Sequence, residues 1–287
     1  MRIDLHTHSD ASDGTDAPAE LVTRAAAAGL DVVALTDHDT TAGWARALAA
    51  APPGLRVVPG AELSTCTSDG ISVHLLAYRF DPEAPALVRE QAVLRQRRRE
   101  RLRRIVRRMA ADGFSVDEDA VFAGLTADAP AGRPHLARAL VAAGVVGSVP
   151  EAFAHYLHDD GPYYVRRVDT PVLDAVRMIA EAGGVTVLAH PLAARGGRVV
   201  GDGVIGELAA AGLAGIEVDH PQHDERARTR LRWLATELGL VVTGGSDYHG
   251  ANKATALGAE TTAPDAFEAL MTRAADTARA SAAFRRS

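Results

Sequence analysis

Apolar positions recur with two different periods along this 287-residue chain, and the alternation between them sets the expected fold. Short runs of strand length, rich in Val, Leu and Ile, fall at residues 2–5, 31–36, 56–63, 72–80, 185–190, 215–220 and 240–247. Between them lie stretches with helical spacing, at 16–28, about 41–51, 171–182, about 203–211, 225–238 and about 264–280. Thr15 or Asp16 would cap the first of these helices and Gly29 would stop it. Seven strands, mostly each followed by a helix, predict a parallel α/β fold. The rhythm breaks across 90–167, which is helical and strand-poor. That segment reads as a helical insertion between the fourth and fifth strands. The expected units are therefore a barrel made of 1–89 and 168–287, with 90–167 set into it.

Composition adds limits. Hydrophobic residues are 47% and charged residues 24%, as in ordinary globular domains. No apolar run is long enough to cross a membrane. The opening residues, with Arg2, Asp4, His6 and His8, do not read as a signal peptide. The single cysteine, Cys66, can form no internal disulfide, which suits a reducing cytoplasm. A cytoplasmic protein without a membrane partner is expected, and no stable protein partner.

A net charge of −6 argues against a general polyanion binder. Yet residues 95–108 hold nine of the 31 basic residues. Leu94, Leu102, Ile105, Val106 and Met109 share one helical stripe there, so the arginines can be its solvated face. They can also be a positive rim that draws nucleotides or short RNA.

The candidate chemistry lies at the strand ends. His6 and His8 leave the first strand two residues apart, so both side chains point to one side. Such a pair grips a metal ion, or is simply two polar residues leaving a strand. The other strands decide between these readings. Asp13 follows the first strand, and Asp37-His38-Asp39 ends the second. Glu62 lies near the end of the third and His74 lies on the fourth. His190 ends the fifth, Asp219 and His220 the sixth, and Asp247 and His249 the seventh. In a parallel α/β barrel these ends meet at one face, where active sites sit. Imidazoles and carboxylates without thiolates suit Zn, Mn or Fe. So many candidates exceed the needs of one or two ions, so three are expected, with a carboxylate such as Glu62 bridging two. Clustered divalent ions activate water and offset phosphoryl charge. There is no Gly-rich phosphate loop and no GxSxG elbow, which disfavours covalent serine catalysis.

The motifs HTHSDASDG, LTDHDT, PGAELS, VHLLAY, LAHP and GGSDYHG resemble those of the polymerase and histidinol phosphatase (PHP) family. The resemblance spans the chain outside the insertion. It implies a distorted seven-stranded barrel with a di- or trinuclear metal site for phosphoester hydrolysis. The Ser12-Asp13-Gly14 loop and the helical insertion resemble a bacterial trinuclear subgroup acting on nucleotides. That subgroup implies hydrolysis of AMP, or loss of the 3′-phosphate from nucleoside 3′,5′-bisphosphates, by direct attack of an activated water. A related branch trims short RNA from the 5′ end, and histidinol phosphate is a third substrate class. By the same resemblance His6, His8, Glu62 and Asp247 would hold one ion. Glu62, His74 and His190 would hold a second, and Asp13, His38 and His249 a third. Asp13, His38, Glu62 and Asp247 would carry the catalysis. Asp37 and Asp39 read as groups behind the ligands, or Asp39 as a helix cap.

The resemblance places the GRPH segment of the insertion over the metals, as part of a substrate pocket. Arg133 and His135, in AGRPHLARAL, precede a helix whose N–H groups favour anions. They can equally belong to a capped surface helix. Tyr163, Tyr164 and Arg166 can stack on a base or hold phosphate, or seal the insertion against the barrel. His220 or His223 can line the pocket or protonate a leaving group. His155 and His158 read as surface or packing residues.

Overall fold

A computed structural model describes residues 1–126, 129–166, 168–193 and 198–284. Arg167, the last residue of the expected insertion, lies outside the described residues. The strands are β1 (Ile3–Thr7), β2 (Val32–Leu35), β3 (Arg56–Cys66), β4 (Ser72–Tyr78), β5 (Thr170–Pro171), β6 (Val185–Ala189), β7 (Gly215–Asp219) and β8 (Val241–Gly244). They pair in the order β1-β2-β3-β4-β6-β7-β8, with the two-residue β5 attached to β3. Thr7 pairs with Tyr248 beyond β8, and the His8 amide donates to the Tyr248 carbonyl at 2.9 Å. Those contacts nearly close the sheet into a seven-stranded barrel.

The sheet is not wholly parallel. β4 runs antiparallel to both β3 and β6. The cause is a tight turn at Ser68-Asp69-Gly70, a signal readable in the sequence. Gly70 has φ +79°, and a Cβ there would meet the Arg166 guanidinium at 1.9 Å. Reversal puts His74, near the start of β4, opposite Ser64 on β3. His74 therefore reaches the same mouth as the carboxyl ends of the parallel strands.

Both faces of the strands are buried, as a barrel with outer helices requires. Val33 and Leu35 of β2 pack with Leu21 and Val22 of α1 (Pro18–Ala27) and Ala47 of α2 (Trp44–Ala50). Val32 and Ala34 join a second cluster with Phe267, Leu270 and Met271 of the C-terminal helix, Pro264–Phe284. Neither Thr15 nor Asp16 caps α1; Ala17 holds that position without a side-chain bond. Thr15 Oγ1 instead accepts from the Ala251 amide at 2.8 Å, and Asp16 Oδ2 from the Tyr248 hydroxyl at 2.7 Å.

The middle of the chain is helical: α3 (Pro85–Ala111), α4 (Glu118–Phe122), α5 (Arg133–Ala142), α6 (Val149–Ala152) and a π-helical turn, Phe153–Leu157. After it come α7 (Val172–Glu181), α8 (Asp202–Ala210), α9 (Glu225–Leu238) and α10, the C-terminal helix. Residue 90 falls inside α3, which is continuous from barrel to insertion. Leu87 packs in the barrel's outer cluster. Leu102, Ile105 and Met109 pack with Leu136 and Leu140 of α5 and with Tyr163 and Val165. Among the described residues no helix is long and apolar enough to cross a membrane.

Candidate functional site

The strand ends converge on Glu62. Its Oε2 lies 3.1 Å from His8 Nε2, 3.1 Å from His38 Nδ1 and 3.3 Å from His6 Nε2. Its Oε1 lies 2.6 Å from His74 Nδ1 and 3.2 Å from His190 Nε2. Asp247 Oδ1 stands 3.5 Å from both His6 Nε2 and His8 Nε2. Asp13 faces His249 Nε2 at 3.3 Å and His38 Nε2 at 3.7 Å. All nine expected ligands are thus brought to one mouth, and all are buried. Against the cost of burial, His74, His38 and His6 hold the Glu62 carboxyl well below the usual range. Burial, then the His249 imidazole, pushes His8 down to about 4.

This donor set fits divalent cations, on the pattern of its own hydrogen bonds. A carboxylate only accepts, so His6 Nδ1–H must donate to Glu217 Oε1, at 3.0 Å. His6 Nε2 lies 3.1 Å from His8 Nε2 and among carboxylate oxygens; against the cost of burial, Glu217, Glu62 and Asp247 raise the His6 pKa well above its usual value, so this nitrogen is a place for positive charge. His8 Nδ1 is buried with no hydrogen-bond partner among the described residues. His249 Nδ1–H donates to the Asp247 carbonyl at 2.8 Å, which leaves Nε2 free towards Asp13. Imidazoles and carboxylates crowded together in a buried space form a pocket that divalent cations fit. His8, Asp13, His38 and His249 each offer an atom within 4.8 Å of the others, as do His38, Glu62 and His74, and also His6, His8 and Asp247.

Sequence reasoning passed over Glu217. It sits mid-strand on β7, buried between Ile216 and Val218. One oxygen orients His6, and the other accepts from the His190 amide at 2.9 Å. A glutamate inside an otherwise apolar strand was the available signal. His6, His190, Glu217 and His220 form a further group within 4.8 Å. His220 Nδ1 accepts from the Gln222 amide at 3.1 Å, so its Nε2 carries the proton and donates to Asp247 Oδ2 at 3.3 Å. His220 thereby orients Asp247, one of the expected ligands, as a group behind a metal site would. Asp219 turns away to Arg232, at 2.7 Å.

Asp37 and Asp39 brace His38 from both sides. Asp37 accepts from the Ser9 amide (2.8 Å) and hydroxyl (2.7 Å) and from the Ser12 hydroxyl (2.7 Å). Asp39 accepts from the Ser64 amide and hydroxyl, both at 2.7 Å, and from Arg98 Nε. Asp39 therefore ties β3 to α3; Gly43, not Asp39, precedes α2 as its cap.

Above the mouth lies a cavity of about 1080 Å³. Its barrel side carries Asp13, His38, Glu62, His74, His190, Asp247 and His249; its insertion side carries Arg98, Arg101, Arg133 and Tyr164, with Arg166 beyond. Arg133 is held by the Leu157 carbonyl (2.6 Å) and Asp159 (2.7 Å). His158, expected at the surface or in packing, also lines this cavity. His135 and His223 are not among its lining residues. His135 Nδ1 accepts from the Gly132 amide at 3.0 Å, closing the first turn of α5. His223 spends Nδ1–H on the Val218 carbonyl (2.9 Å) and Nε2 on the Leu192 amide (3.3 Å).

The arginine run takes a course between the two expected ones. Arg98 and Arg101 line the cavity. Arg99 and Arg103 lie over the Phe122 ring, Arg103 pairs with Glu118, and Arg108 bonds the Tyr164 carbonyl. These side chains fasten the helices of the insertion to one another.

The PHP domain profile matches residues 4–120. A 3′,5′-nucleoside bisphosphate phosphatase of Chromobacterium violaceum is 36% identical over 86% of this chain and 87% of its own. A 5′-3′ exoribonuclease of Haemophilus influenzae is 35% identical over 86% of this chain and 90% of its own. A solved structure from Bifidobacterium adolescentis, assigned as a metal-dependent phosphoesterase, matches with a TM-score of 0.90 at 37% identity, covering 94% of this chain and 96% of that one.

Proposed function

Because the chain belongs to the PHP family of metal-dependent phosphoesterases, we propose that it removes the 3′-phosphate from nucleoside 3′,5′-bisphosphates, with AMP-like monophosphates as poorer substrates. The observation that carries this reading is the two-sided cavity: histidines and carboxylates on the barrel side, arginines and an aromatic ring on the other. The bisphosphate phosphatase relative supports the same substrate class.

By the family resemblance, three divalent ions (Mn, Fe or Zn) would be held by the sets His6-His8-Glu62-Asp247, Glu62-His74-His190 and Asp13-His38-His249. Bound there, such ions lower the pKa of water and neutralise phosphoryl charge. The chain's own residues do the rest. Glu217 fixes the orientation of His6, His220 orients Asp247, and Asp37 and Asp39 anchor the backbone on either side of His38. Arg133 presents a fixed guanidinium fork to a phosphate. Tyr164 offers a ring face to a base, with the Arg101 guanidinium 5.3 Å from its centroid. Residues 90–167 act as the substrate cap.

Phosphate release by the Mn-reconstituted protein tests the reading. The panel is adenosine 3′,5′-bisphosphate, AMP, histidinol phosphate and a 5′-phosphorylated short RNA. The bisphosphate is expected to lead in kcat/KM by tenfold or more. Preference for the RNA would make this an exoribonuclease, the reading favoured by the Haemophilus influenzae relative and by Arg98 and Arg101 in the cavity.

A further inference from the structure

The chain carries thirty arginines and one lysine, Lys253. Wherever else it pairs a non-histidine side-chain cation with a carboxylate, it uses the guanidinium: Arg98 with Asp39, Arg133 with Asp159, Arg228 with Glu260, Arg232 with Asp219. A composition so biased towards arginine makes the one ammonium group an observation to explain. Arginine is a planar fork; lysine is a compact point charge with three donors.

Lys253 stands at the metal mouth. Its Nζ contacts Asp247 Oδ2, it lines the substrate cavity, and its side chain is 37% exposed. Its backbone is held in place. Gly250 has φ +64°, and a Cβ there would meet Thr15 Oγ1 at 1.9 Å. The Asn252 side chain donates to the Asp13 carbonyl at 2.7 Å. Orienting Asp247 does not by itself require this lysine, because His220 already donates to the same oxygen. Among the described residues Asp247 is the one hydrogen-bond partner recorded for Nζ, which leaves two N–H donors for a ligand in the cavity.

We propose that Lys253 contacts the phosphoryl group under attack, donating from Nζ to a non-bridging oxygen while keeping its bond to Asp247. A point charge fits a site where the cation must sit beside a ligand carboxylate and the reacting phosphate together. A guanidinium there would have to turn its plane to one of them. This assignment rests on the phosphomonoesterase reading above.

Being the sole lysine, Lys253 can be labelled selectively. Reductive methylation with ¹³C-formaldehyde marks only Lys253 and the amino terminus, and the terminus serves as internal control. Inorganic phosphate is expected to slow methylation of Lys253 in the metal-loaded enzyme at least fivefold, leaving the terminus unchanged. K253M is expected to lose about 100-fold in kcat/KM for adenosine 3′,5′-bisphosphate and for glycerol 2-phosphate, at unchanged metal content. K253R should fall within threefold of K253M. Absence of protection overturns the proposal. So does recovery of wild-type kcat/KM in K253R, or a loss in K253M accounted for by lost metal. If the wild type hydrolyses no monoester while phosphate still protects Lys253, the functional reading fails and the anion contact stands. Hydrolysis without protection removes Lys253 and leaves the function.

Discussion

The mouth of the barrel and the helical insertion use charge in opposite ways. At the mouth, buried carboxylates and imidazoles face one another across about 3 Å, on strand ends with fixed backbones. Asp39, His190 and Asp247 hold positive φ there (52°, 28° and 52°), a conformation that costs energy and persists where surroundings over-determine it. In the insertion, half-exposed arginines spread over carbonyls, ring faces and a few carboxylates. The first region crowds like groups into a buried pocket that cations fit. The second pairs most of its arginines internally, although Arg138 Nη1 is buried without a partner among the described residues. On the proposed function, the contrast would leave chemistry to the barrel and substrate choice to the insertion.

The hardest test of that division is at its centre. Glu62→Ala is expected to lower kcat/KM at least a thousandfold, about 4 kcal/mol, equally for the bisphosphate and for glycerol 2-phosphate. Metal analysis of the purified variant should show bound ions lost as well. A variant that kept its metals and lost only the nucleotide substrate would move Glu62 out of the chemistry and dissolve the contrast.

Much of the mouth was legible in the sequence, because ligand type and strand-end position are both written along the chain. His6, His8, His190 and Asp247 each follow or end an apolar run, whereas Glu62 stands inside β3, which runs past the expected end at 63 to Cys66. What escaped was one local turn passed over and contacts set by tertiary geometry. Strand direction at β4 depends on a three-residue turn, so His74 arrives from the start of its strand rather than the end. Glu217 looks like one polar residue in a buried strand until His6 and His190 are placed against it. The insertion was less legible still. A helical stripe says which face is apolar, but not that Arg98 turns inward to Asp39 while Arg103 turns to Glu118. Tyr163 donates its hydroxyl to Asp112 at 2.8 Å, while the neighbouring Tyr164 faces the cavity. Adjacent residues in one motif thus take the two roles that the sequence left open.

The joint between the regions gives the next largest effect. Arg98 is buried, with Nε on Asp39 and Nη2 donating to the Ser64 hydroxyl at 2.7 Å. Removing one partner of a buried ion pair leaves the other uncompensated, at a cost of about 3–5 kcal/mol. Arg98→Ala should lower the unfolding free energy by that amount in urea titration. The double variant with Asp39→Asn should cost much less than the two single changes summed. Additive losses would mean that the insertion and the barrel are joined elsewhere, and that the two regions are more independent than the contacts of α3 imply.

The smallest effect sharpens the comparison most, because it separates substrates rather than states of the protein. Tyr164 lines the cavity, with its ring beside Arg101 and its backbone carbonyl accepting from Arg108 at 3.0 Å. The backbone contact survives truncation, so Tyr164→Ala removes the ring and little else. A base stacked on an aromatic face is worth about 1–3 kcal/mol. KM for adenosine 3′,5′-bisphosphate should therefore rise about tenfold, with kcat nearly unchanged. Glycerol 2-phosphate has no base and should show neither change. An equal rise in both KM values would place the ring in the architecture of the cap, and base recognition would have to come from another wall of the cavity.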